Sequence, residues 1–419
     1  MDPPRITRQN PPTVTRYGPG PGCTGLCLWL ALFAGCAAVR DFPAAKLPPG
    51  ARLIETGSTT GRARGASALV VPAGTSLPDQ PQTILVLSGG GMNGAFPAGL
   101  LKGWSASGTR PRFDVVTGIS TGALIAPFAF VGAEYDEELE RVYTSVNAAQ
   151  IYRLRSLLAL PWSDALADSE PLRRRIRKEV TSEMLAQIAR EHRAGRRLYV
   201  GTTNLDTLQQ VVWDLGAIAA GDDPQKLDLI HEVLLASCSV PGLLPPVPIN
   251  IQIDGKRYSE LHADGNVSSS LLLPPQLPGI GGDGLAADES NPVELYVVIA
   301  GKLAPEPTEV ERRLFHVSDV SLKGLIQSQM ESDLQRVYLL TRLSGARFHL
   351  AAIPEDLPTN SKSMSFDPQS MRQVFEAGRQ FGEREGPWLE IPAGIDLSEG
   401  SYPRRGVTFT RRGNEVSRQ

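Results

Sequence analysis

The residues best suited to chemistry in this chain form a serine motif, Gly118-Ile119-Ser120-Thr121-Gly122. A β-branched run precedes the motif and an Ala/Leu/Ile-rich stretch follows it, so the serine is predicted to lie in a tight turn between a strand and a helix. Glycines on both sides permit such a turn because they lack a Cβ atom. Ser120 is therefore a candidate nucleophile, although a pattern this short is also typical of ordinary Gly/Ser turns.

A glycine-rich loop lies upstream of the serine, between a predicted buried strand at residues 84–87 and a predicted helix. Its residues are Gly89, Gly90, Gly91, Met92, Asn93 and Gly94. Unobstructed backbone amides at the start of a helix bind anions, so the loop suits a nucleotide phosphate or the oxyanion of a tetrahedral intermediate. Its spacing matches neither the dinucleotide-binding pattern nor the P-loop. The serine turn in the next strand-helix unit favours the oxyanion.

Three motifs in order resemble the signature of the patatin-like phospholipases. They are residues 89–94, residues 118–122 and His262-Ala263-Asp264-Gly265. Residues 168–172, 202–206 and 236–247 are similar to the family too, and the likeness extends over roughly residues 81–390. The resemblance implies that Ser120 is the nucleophile, that Asp264, followed by Gly265, is its base, and that the glycine loop is the oxyanion hole. It also implies a phospholipid or another fatty-acyl ester as the substrate.

Two positions depart from the family pattern. Asn93 stands where the glycine loop of the family often has a basic residue, and Asn266 follows the Asp-Gly pair where Gly or Ala is usual. These departures bear on head-group preference and loop conformation more than on the reaction. Asp254-Gly255 is a second Asp-Gly pair, but it lies between alternating apolar runs and is explained as a hairpin turn. The base is therefore assigned to Asp264.

Two other functions compete with this interpretation. A Ser-His-Asp esterase would need one of the five histidines, which are His192, His231, His262, His316 and His349. His192 and His231 lie in predicted helices and His349 begins a strand, whereas such a triad places its histidine in a late loop. A catalytically inactive, membrane-tethered lipid-binding lipoprotein is the second alternative. The sequence has no His-Glu-x-x-His and no Cys-x2-Cys in its folded part, so no metal and no cofactor are expected.

Composition bounds the fold and the partners. The chain has 419 residues, which suffice for one large α/β domain with appendages or for two medium domains. A net charge of −3 gives no indication of a nucleic-acid partner. Alternating strands and helices predict an α/β fold, a three-layer α/β/α sandwich around a mostly parallel central sheet. The resemblance implies the patatin-like form of this fold. Nothing in the sequence indicates the oligomeric state.

The N-terminal segment has the plan of a secretory signal. Arginines precede a short apolar run at residues 26–34, which is too short to span a membrane comfortably. The run ends in Ala34-Gly35-Cys36, which resembles the lipobox of bacterial lipoproteins, although Phe33 stands where Leu is typical. This resemblance implies that Cys36 is acylated and that the protein is anchored at a membrane surface of the bacterial cell envelope, in the outer membrane or on the periplasmic side. An uncleaved N-terminal anchor is the alternative.

The predicted limits follow from these segments. Residues 1–35 form the signal peptide, 36–80 a flexible tether with one possible strand at 68–71, 81–393 the catalytic domain and 394–419 a polar tail. Residues 279–291 form a Gly/Asp loop that is either a flap or an insertion. Pro127 is expected to kink or end the helix that follows the serine.

Overall fold

The computed structural model describes residues 59–64, 67–72, 83–156, 158, 162–253, 256–274, 292–304, 309–358, 364–384 and 388–392. Several features predicted from the sequence lie outside these residues. They are the signal segment with Cys36, the Asp254-Gly255 turn, the loop at 279–291 and the C-terminal tail.

The described strands and helices alternate through most of the chain. The strands are β1 Thr59–Arg64, β2 Ser67–Pro72, β3 Thr83–Leu87, β4 Val115–Ile119, β5 Arg153–Leu154, β6 Ala167–Asp168, β7 Arg197–Asn204, β8 Gln209–Asp214, β9 Val247–Ile253, β10 Lys256–Asp264, β11 Glu294–Ile299 and β12 Arg347–Ala352. The α-helices are α1 Ala95–Ala106, α2 Thr121–Val131, α3 Asp136–Thr144, α4 Glu170–Glu179, α5 Ser182–Arg193, α6 Leu215–Ala220, α7 Lys226–Ser237, α8 Leu314–Leu343 and α9 Pro368–Glu383. Short 3₁₀ turns include Gly91–Gly94 and Gly265–Val267. Within the described ranges, none of the helices combines the length and apolar character needed to cross a membrane.

One mixed sheet organises the molecule. Its strand order is β1-β2-β8-β7-β4-β3-β11-β12, and β10 pairs with both β7 and β9. The central run from β7 through β4, β3 and β11 to β12 is parallel, whereas the β7–β8, β7–β10 and β9–β10 pairs are antiparallel. The predicted α/β fold with a mostly parallel central sheet is confirmed.

Side chains alternate between the two faces of this sheet, as the period of a strand requires. In β3, Leu85 and Leu87 belong to one apolar core, and Ile84 and Val86 belong to the other. Most of the helices cover the first core, and α8 covers the second through residues such as Leu334. The architecture is therefore helix, sheet and helix in three layers.

Helices α1 and α9 pack with their backbones almost in contact. A Cβ atom on Gly99 would lie 1.9 Å from the carbonyl oxygen of Phe375, and one on Gly378 would lie 2.1 Å from that of Phe96. Only residues without a side chain permit so close an approach. Helix α9 thereby fixes α1, the helix that begins at the end of the glycine loop.

The helix after the serine does not end at its proline. Helix α2 continues beyond Pro127 to Val131, so of the two predicted effects the end of the helix is wrong, and the kink stays a prediction. Phe128, Ala129 and Phe130 are all buried in the first core, and this apolar packing stabilises the last turn.

Part of the predicted tether belongs to the sheet. Strands β1 and β2 form a hairpin, and β2 pairs in parallel with β8. The possible strand at residues 68–71 is thus longer than expected and is hydrogen-bonded to the domain. The predicted domain limits stay predictions.

Candidate active site

The ends of two strands bring the serine and aspartate motifs together. Strand β4 runs beside β7, and its last residue, Ile119, pairs with Gly201. From the next residue of β7 onward, β10 takes the place of β4, because Asp264 pairs with Thr202. Ser120 follows β4 directly. The serine and the aspartate therefore meet where two strands end against the same edge of β7.

Glycines allow this junction to close. A Cβ atom on Gly265 would lie 2.7 Å from the carbonyl oxygen of Gly201. A Cβ atom on Gly122 would lie 2.5 Å from the carbonyl oxygen of Leu87, and one on Gly118 would lie 2.4 Å from that of Gly122. Larger residues at these positions would separate the backbones, so the sequence spacing of both motifs has a steric origin.

Ser120 is held in an unusual backbone conformation. Its φ is 54° and its ψ is −124°, between the end of β4 and the first residue of α2. A non-glycine residue with positive φ is strained, at a cost on the order of 1–3 kcal/mol, and persists only where its surroundings hold it. The turn aims the side chain at Asp264, and Ser120 Oγ donates to Asp264 Oδ2 at 2.7 Å. This is the geometry predicted for a nucleophile elbow.

Asp264 is a buried carboxylate with few neighbours to stabilise its charge. The residue is 1% exposed, and its Oδ1 accepts the backbone N–H of Asn266 at 2.9 Å. Burial raises the pKa of Asp264 to about 7, although the hydrogen bonds from Asn266 and Ser120 act in the opposite direction. A carboxyl group with this pKa is a far better proton acceptor at neutral pH than an ordinary aspartate.

The glycine loop lies beside the elbow, at the carboxyl end of the neighbouring strand. It closes in the Gly91–Gly94 turn, where Gly91 has a φ of 57°. A Cβ atom on Gly94 would lie 2.1 Å from Thr121 Oγ1, so the end of the loop contacts the residue after Ser120. The side chain of Met92 is buried in the first apolar core and anchors the loop there.

Both departures from the family pattern lie at this loop. The side chain of Asn266 lies so close to Gly89 that its Nδ2 would be 2.1 Å from a Cβ atom there. Asn93 Oδ1 is buried and has no hydrogen-bond partner among the described residues. The departures therefore shape the surroundings of the loop amides rather than the serine or the aspartate.

Sequence reasoning noticed residues 236–247 as a similar stretch but gave them no role. In the structure, Ser237 Oγ accepts the backbone N–H of Ser120 at 3.0 Å, and Cys238 Sγ donates to the carbonyl oxygen of Ser120 at 3.2 Å. Residues 237 and 238 lie more than a hundred positions from the serine, so no local pattern predicts these contacts.

The five histidines all lie in the described ranges, and their polar neighbours are residues other than Ser120. His262 Nδ1 is 2.9 Å from Thr202 Oγ1, and His231 Nε2 is 2.8 Å from the carbonyl oxygen of Val180. His192, His316 and His349 contact Asp214, Glu311 and Glu294, respectively. Across the described ranges, no group of three or more His, Cys, Asp or Glu side chains could hold a metal ion.

A largely apolar cavity of about 60 Å³ opens next to the elbow. Thr121 and Leu124 of α2 line it together with side chains of α3 and α4, including Val142 and Ile176. Glu179 contributes a buried oxygen, Oε1, that lacks a hydrogen-bond partner within the part of the chain that the structure describes. The cavity begins one residue from Ser120, so a molecule that reacted there would have an apolar space within reach.

The three-layer α/β/α architecture and the strained serine turn define an α/β protein with a site suited to acyl transfer. Residues 85–275 match the family model described as patatin-like phospholipase. The chain therefore carries a patatin-like phospholipase domain, and the activity of that family is lipid acyl hydrolysis. The matched range includes Ser120, Asp264 and the glycine loop. No curated protein matches the chain in sequence.

Three solved structures are similar to the chain at low identity. VipD from Legionella pneumophila is 12% identical, with 84% of this chain and 72% of VipD covered and a TM-score of 0.36. The type III effector ExoU is 17% identical, with 79% of this chain and 58% of ExoU covered and a TM-score of 0.25. A complex of SpcU with ExoU from the type III secretion system of Pseudomonas aeruginosa gives 15% identity, 83% and 61% coverage and a TM-score of 0.24. The chain thus spans about three fifths of the ExoU chains it matches.

Proposed function

We propose that this protein is a serine lipid acyl hydrolase, a phospholipase A or esterase that works through a dyad of Ser120 and Asp264. The observation that carries the proposal is the 2.7 Å hydrogen bond from Ser120 Oγ to the buried Asp264 Oδ2, made from a strained turn beside a glycine loop. The patatin-like phospholipase domain supports a lipid ester as the substrate.

In the proposed reaction, Ser120 Oγ attacks the carbonyl carbon of a fatty-acyl ester while Asp264 Oδ2 accepts the hydroxyl proton. Backbone amides of residues 89–94 hold the oxyanion of the tetrahedral intermediate. The intermediate collapses, the C–O bond to the alcohol breaks, and Asp264 returns the proton to the departing alkoxide. Water then attacks the acyl-serine with Asp264 again as the base, which releases the fatty acid and restores the serine.

The apolar cavity beside Thr121 is where we place the acyl chain. Its lining supplies the aliphatic contacts that a fatty chain needs, and it starts at the residue after the nucleophile. On this proposal kcat/KM rises with the length of the acyl chain as long as the acyl chain fits the cavity, and it does not rise further for longer acyl chains. An equal kcat/KM across nitrophenyl esters of increasing acyl length would mean that the acyl chain binds elsewhere.

The deciding experiment compares the full-length protein with Ser120→Ala on a short-chain nitrophenyl ester, with and without phospholipid vesicles. Loss of the nucleophile is expected to lower kcat by at least about a thousandfold. A fluorophosphonate should label the native protein at Ser120 and leave the variant unlabelled. Ser344→Ala is the matched control, because Ser344 is also buried and its hydroxyl donates only to the nearby carbonyl oxygen of Thr341.

Each outcome separates the competing functions. Undiminished turnover by Ser120→Ala contradicts the assignment of the nucleophile. A native protein that neither turns over nor reacts with the fluorophosphonate, even with vesicles present, supports the inactive lipid-binding lipoprotein instead.

A further inference from the structure

Three consecutive residues at the end of α7 contact the main chain of both members of the dyad. Ser237 Oγ accepts the N–H of Ser120 at 3.0 Å and donates to the carbonyl oxygen of Gly201 at 2.7 Å. Cys238 Sγ donates to the carbonyl oxygen of Ser120 at 3.2 Å. The carbonyl oxygen of Ser239 accepts the N–H of Asp264 at 2.9 Å. Residues 237–239, called here the 237–239 bridge, therefore link the serine turn to the end of β10.

We propose that the 237–239 bridge sets the position of Ser120 against Asp264, with Ser237 and Cys238 as positioning residues for the hydrolysis. The inference rests on the proposed function, because it concerns the same dyad. It adds two side chains that act through the backbone of the serine and touch neither the substrate nor the reacting atoms.

The strain at Ser120 explains why such a bridge is needed. A φ of 54° with a ψ of −124° is unfavourable for a residue with a Cβ atom, so the turn would relax if its peptide groups were free to rotate. The bridge holds the N–H on one side of the Cα atom and, together with the N–H groups of Ala123 and Leu124 in α2, the carbonyl oxygen on the other. Relaxation in either direction would break one of these hydrogen bonds, so the 2.7 Å contact with Asp264 is maintained.

The thiol of Cys238 suits this role and not that of a competing nucleophile. The residue is 8% exposed, and burial, with the nearby Asp264 carboxylate as a second cause, raises the pKa of the thiol well above its ordinary value. A thiol that stays protonated at neutral pH keeps its hydrogen for donation and is a poor nucleophile.

The bridge also determines which donors remain for the oxyanion. Because Ser237 Oγ accepts the N–H of Ser120, that amide is already hydrogen-bonded within the protein. The amides of residues 89–94 are then the donors that the oxyanion meets, which agrees with the role given to the glycine loop.

The test compares Cys238→Ala with Cys238→Ser in the full-length protein. The two replacements have nearly the same volume and differ in one hydroxyl group, so their difference isolates the hydrogen bond to Ser120. We expect Cys238→Ala and Ser237→Ala to lower kcat by about ten- to a hundredfold with little change in KM, since misplacement of a reacting group costs this much. Cys238→Ser should recover kcat to within about threefold of the native value.

A pH profile separates positioning from a general loss of stability. The hydrogen bond from Ser120 lowers the pKa of Asp264, so a loosened dyad should move the acid limb of kcat/KM to higher pH in Cys238→Ala and leave it in place in Cys238→Ser. Ser344→Ala should keep the native kcat and the native pH profile, even if its melting temperature is lower than that of the native protein. If Ser237→Ala does not fold, the two Cys238 variants still decide the question.

Two results would overturn the inference. One is equal kcat for Cys238→Ala and Cys238→Ser, and the other is an acid limb that stays in place while kcat falls. Either result, together with an inactive Ser120→Ala variant, would rule out the positioning role of the bridge and would leave the proposed hydrolase function standing. Turnover by Ser120→Ala would remove the proposed function itself.

Discussion

Asp264 and Asp214 occupy corresponding positions in two parts of the sheet. Each is the last residue of its strand, β10 or β8, and each is 1% exposed. Each carboxylate accepts a backbone N–H at the start of a helical turn, from Asn266 and Ala217 respectively. Burial raises the pKa of each to about 7. By burial, capping and pKa, the two residues are equivalent.

They differ in what faces the second oxygen. Asp264 Oδ2 accepts the hydroxyl of Ser120, whereas Asp214 Oδ2 has no hydrogen-bond partner in the described ranges. His192 Nδ1 is 3.7 Å from Asp214 Oδ1, and burial, helped by the charge of Arg197, lowers the pKa of this histidine to about 4. The imidazole is thus neutral at pH 7 and forms no ion pair there. A raised pKa therefore reports burial, and the serine in its strained turn is what makes Asp264 the candidate base.

The largest expected difference between the two aspartates is in turnover. Asp264→Asn removes the proton acceptor and should lower kcat by about a thousandfold or more, whereas Asp214→Asn should stay within about threefold of the native protein. Both replacements keep a side-chain oxygen for the backbone N–H, so they are matched. The measurement is kcat on a short-chain nitrophenyl ester.

The opposite result for either variant would change the roles assigned to the two aspartates. An active Asp264→Asn protein would mean that the base is misassigned and that a histidine has to be sought, as in a Ser-His-Asp esterase. An inactive but folded Asp214→Asn protein would mean that the second aspartate also takes part.

The next largest effect is on the pH dependence of turnover. Asp264 accepts a proton only when it is ionised, and its pKa is about 7, so kcat/KM of the native protein should fall as the pH drops below about 7. Asp214→Asn should leave the profile unchanged, because this carboxyl takes no part. An acid limb near the ordinary pKa of aspartate would show that burial of Asp264 is relieved in solution.

The smallest effect is on stability, and here the two aspartates should behave alike. Their pKa is about 7 in the folded chain and 3.8 in an ordinary carboxyl group, so between these values the folded chain holds protons that the unfolded chain has released. The free energy of unfolding of the native protein should therefore fall as the pH rises through this interval. Each Asn variant lacks one such group and should gain on the order of 2–4 kcal/mol over the native protein between about pH 5 and about pH 8.

Urea unfolding of the native protein and both variants at several pH values measures this effect. Asn caps a helix about as well as Asp, so loss of the cap does not mask the result. A gain in one variant only would show that the two sites are not equally buried in solution.

Local signals in the sequence predicted much of the fold and the motifs that meet at the candidate site. The strand at residues 84–87, the serine turn and the hairpin before Asp264 are each defined by neighbouring residues, and the structure has all three. The prediction of Asp264 rather than Asp254 as the base used the hairpin turn at Asp254 together with the family resemblance of residues 262–265. These features could be predicted because their causes lie within a few residues of one another.

The parts that could not be predicted depend on contacts between distant positions. Ser237 lies 117 residues from Ser120, and Asp264 lies 144 residues from it. No periodicity shows that β10 replaces β4 beside β7, or that the end of α7 reaches the serine turn. The helix continues past Pro127 for the same reason, because tertiary packing of α2 outweighs the local cost of the proline.

The close contact between α1 and α9 bears on how much of the chain can fold independently. The family match ends at residue 275, but Gly378 of α9 packs against α1, and β11 pairs with β3. A polypeptide truncated at residue 275 would retain the serine, the aspartate and the glycine loop. It would also expose the glycine face of α1 and leave β3 as an unpaired edge, a combination that favours aggregation. The segment that matches the family model is therefore not expected to fold autonomously.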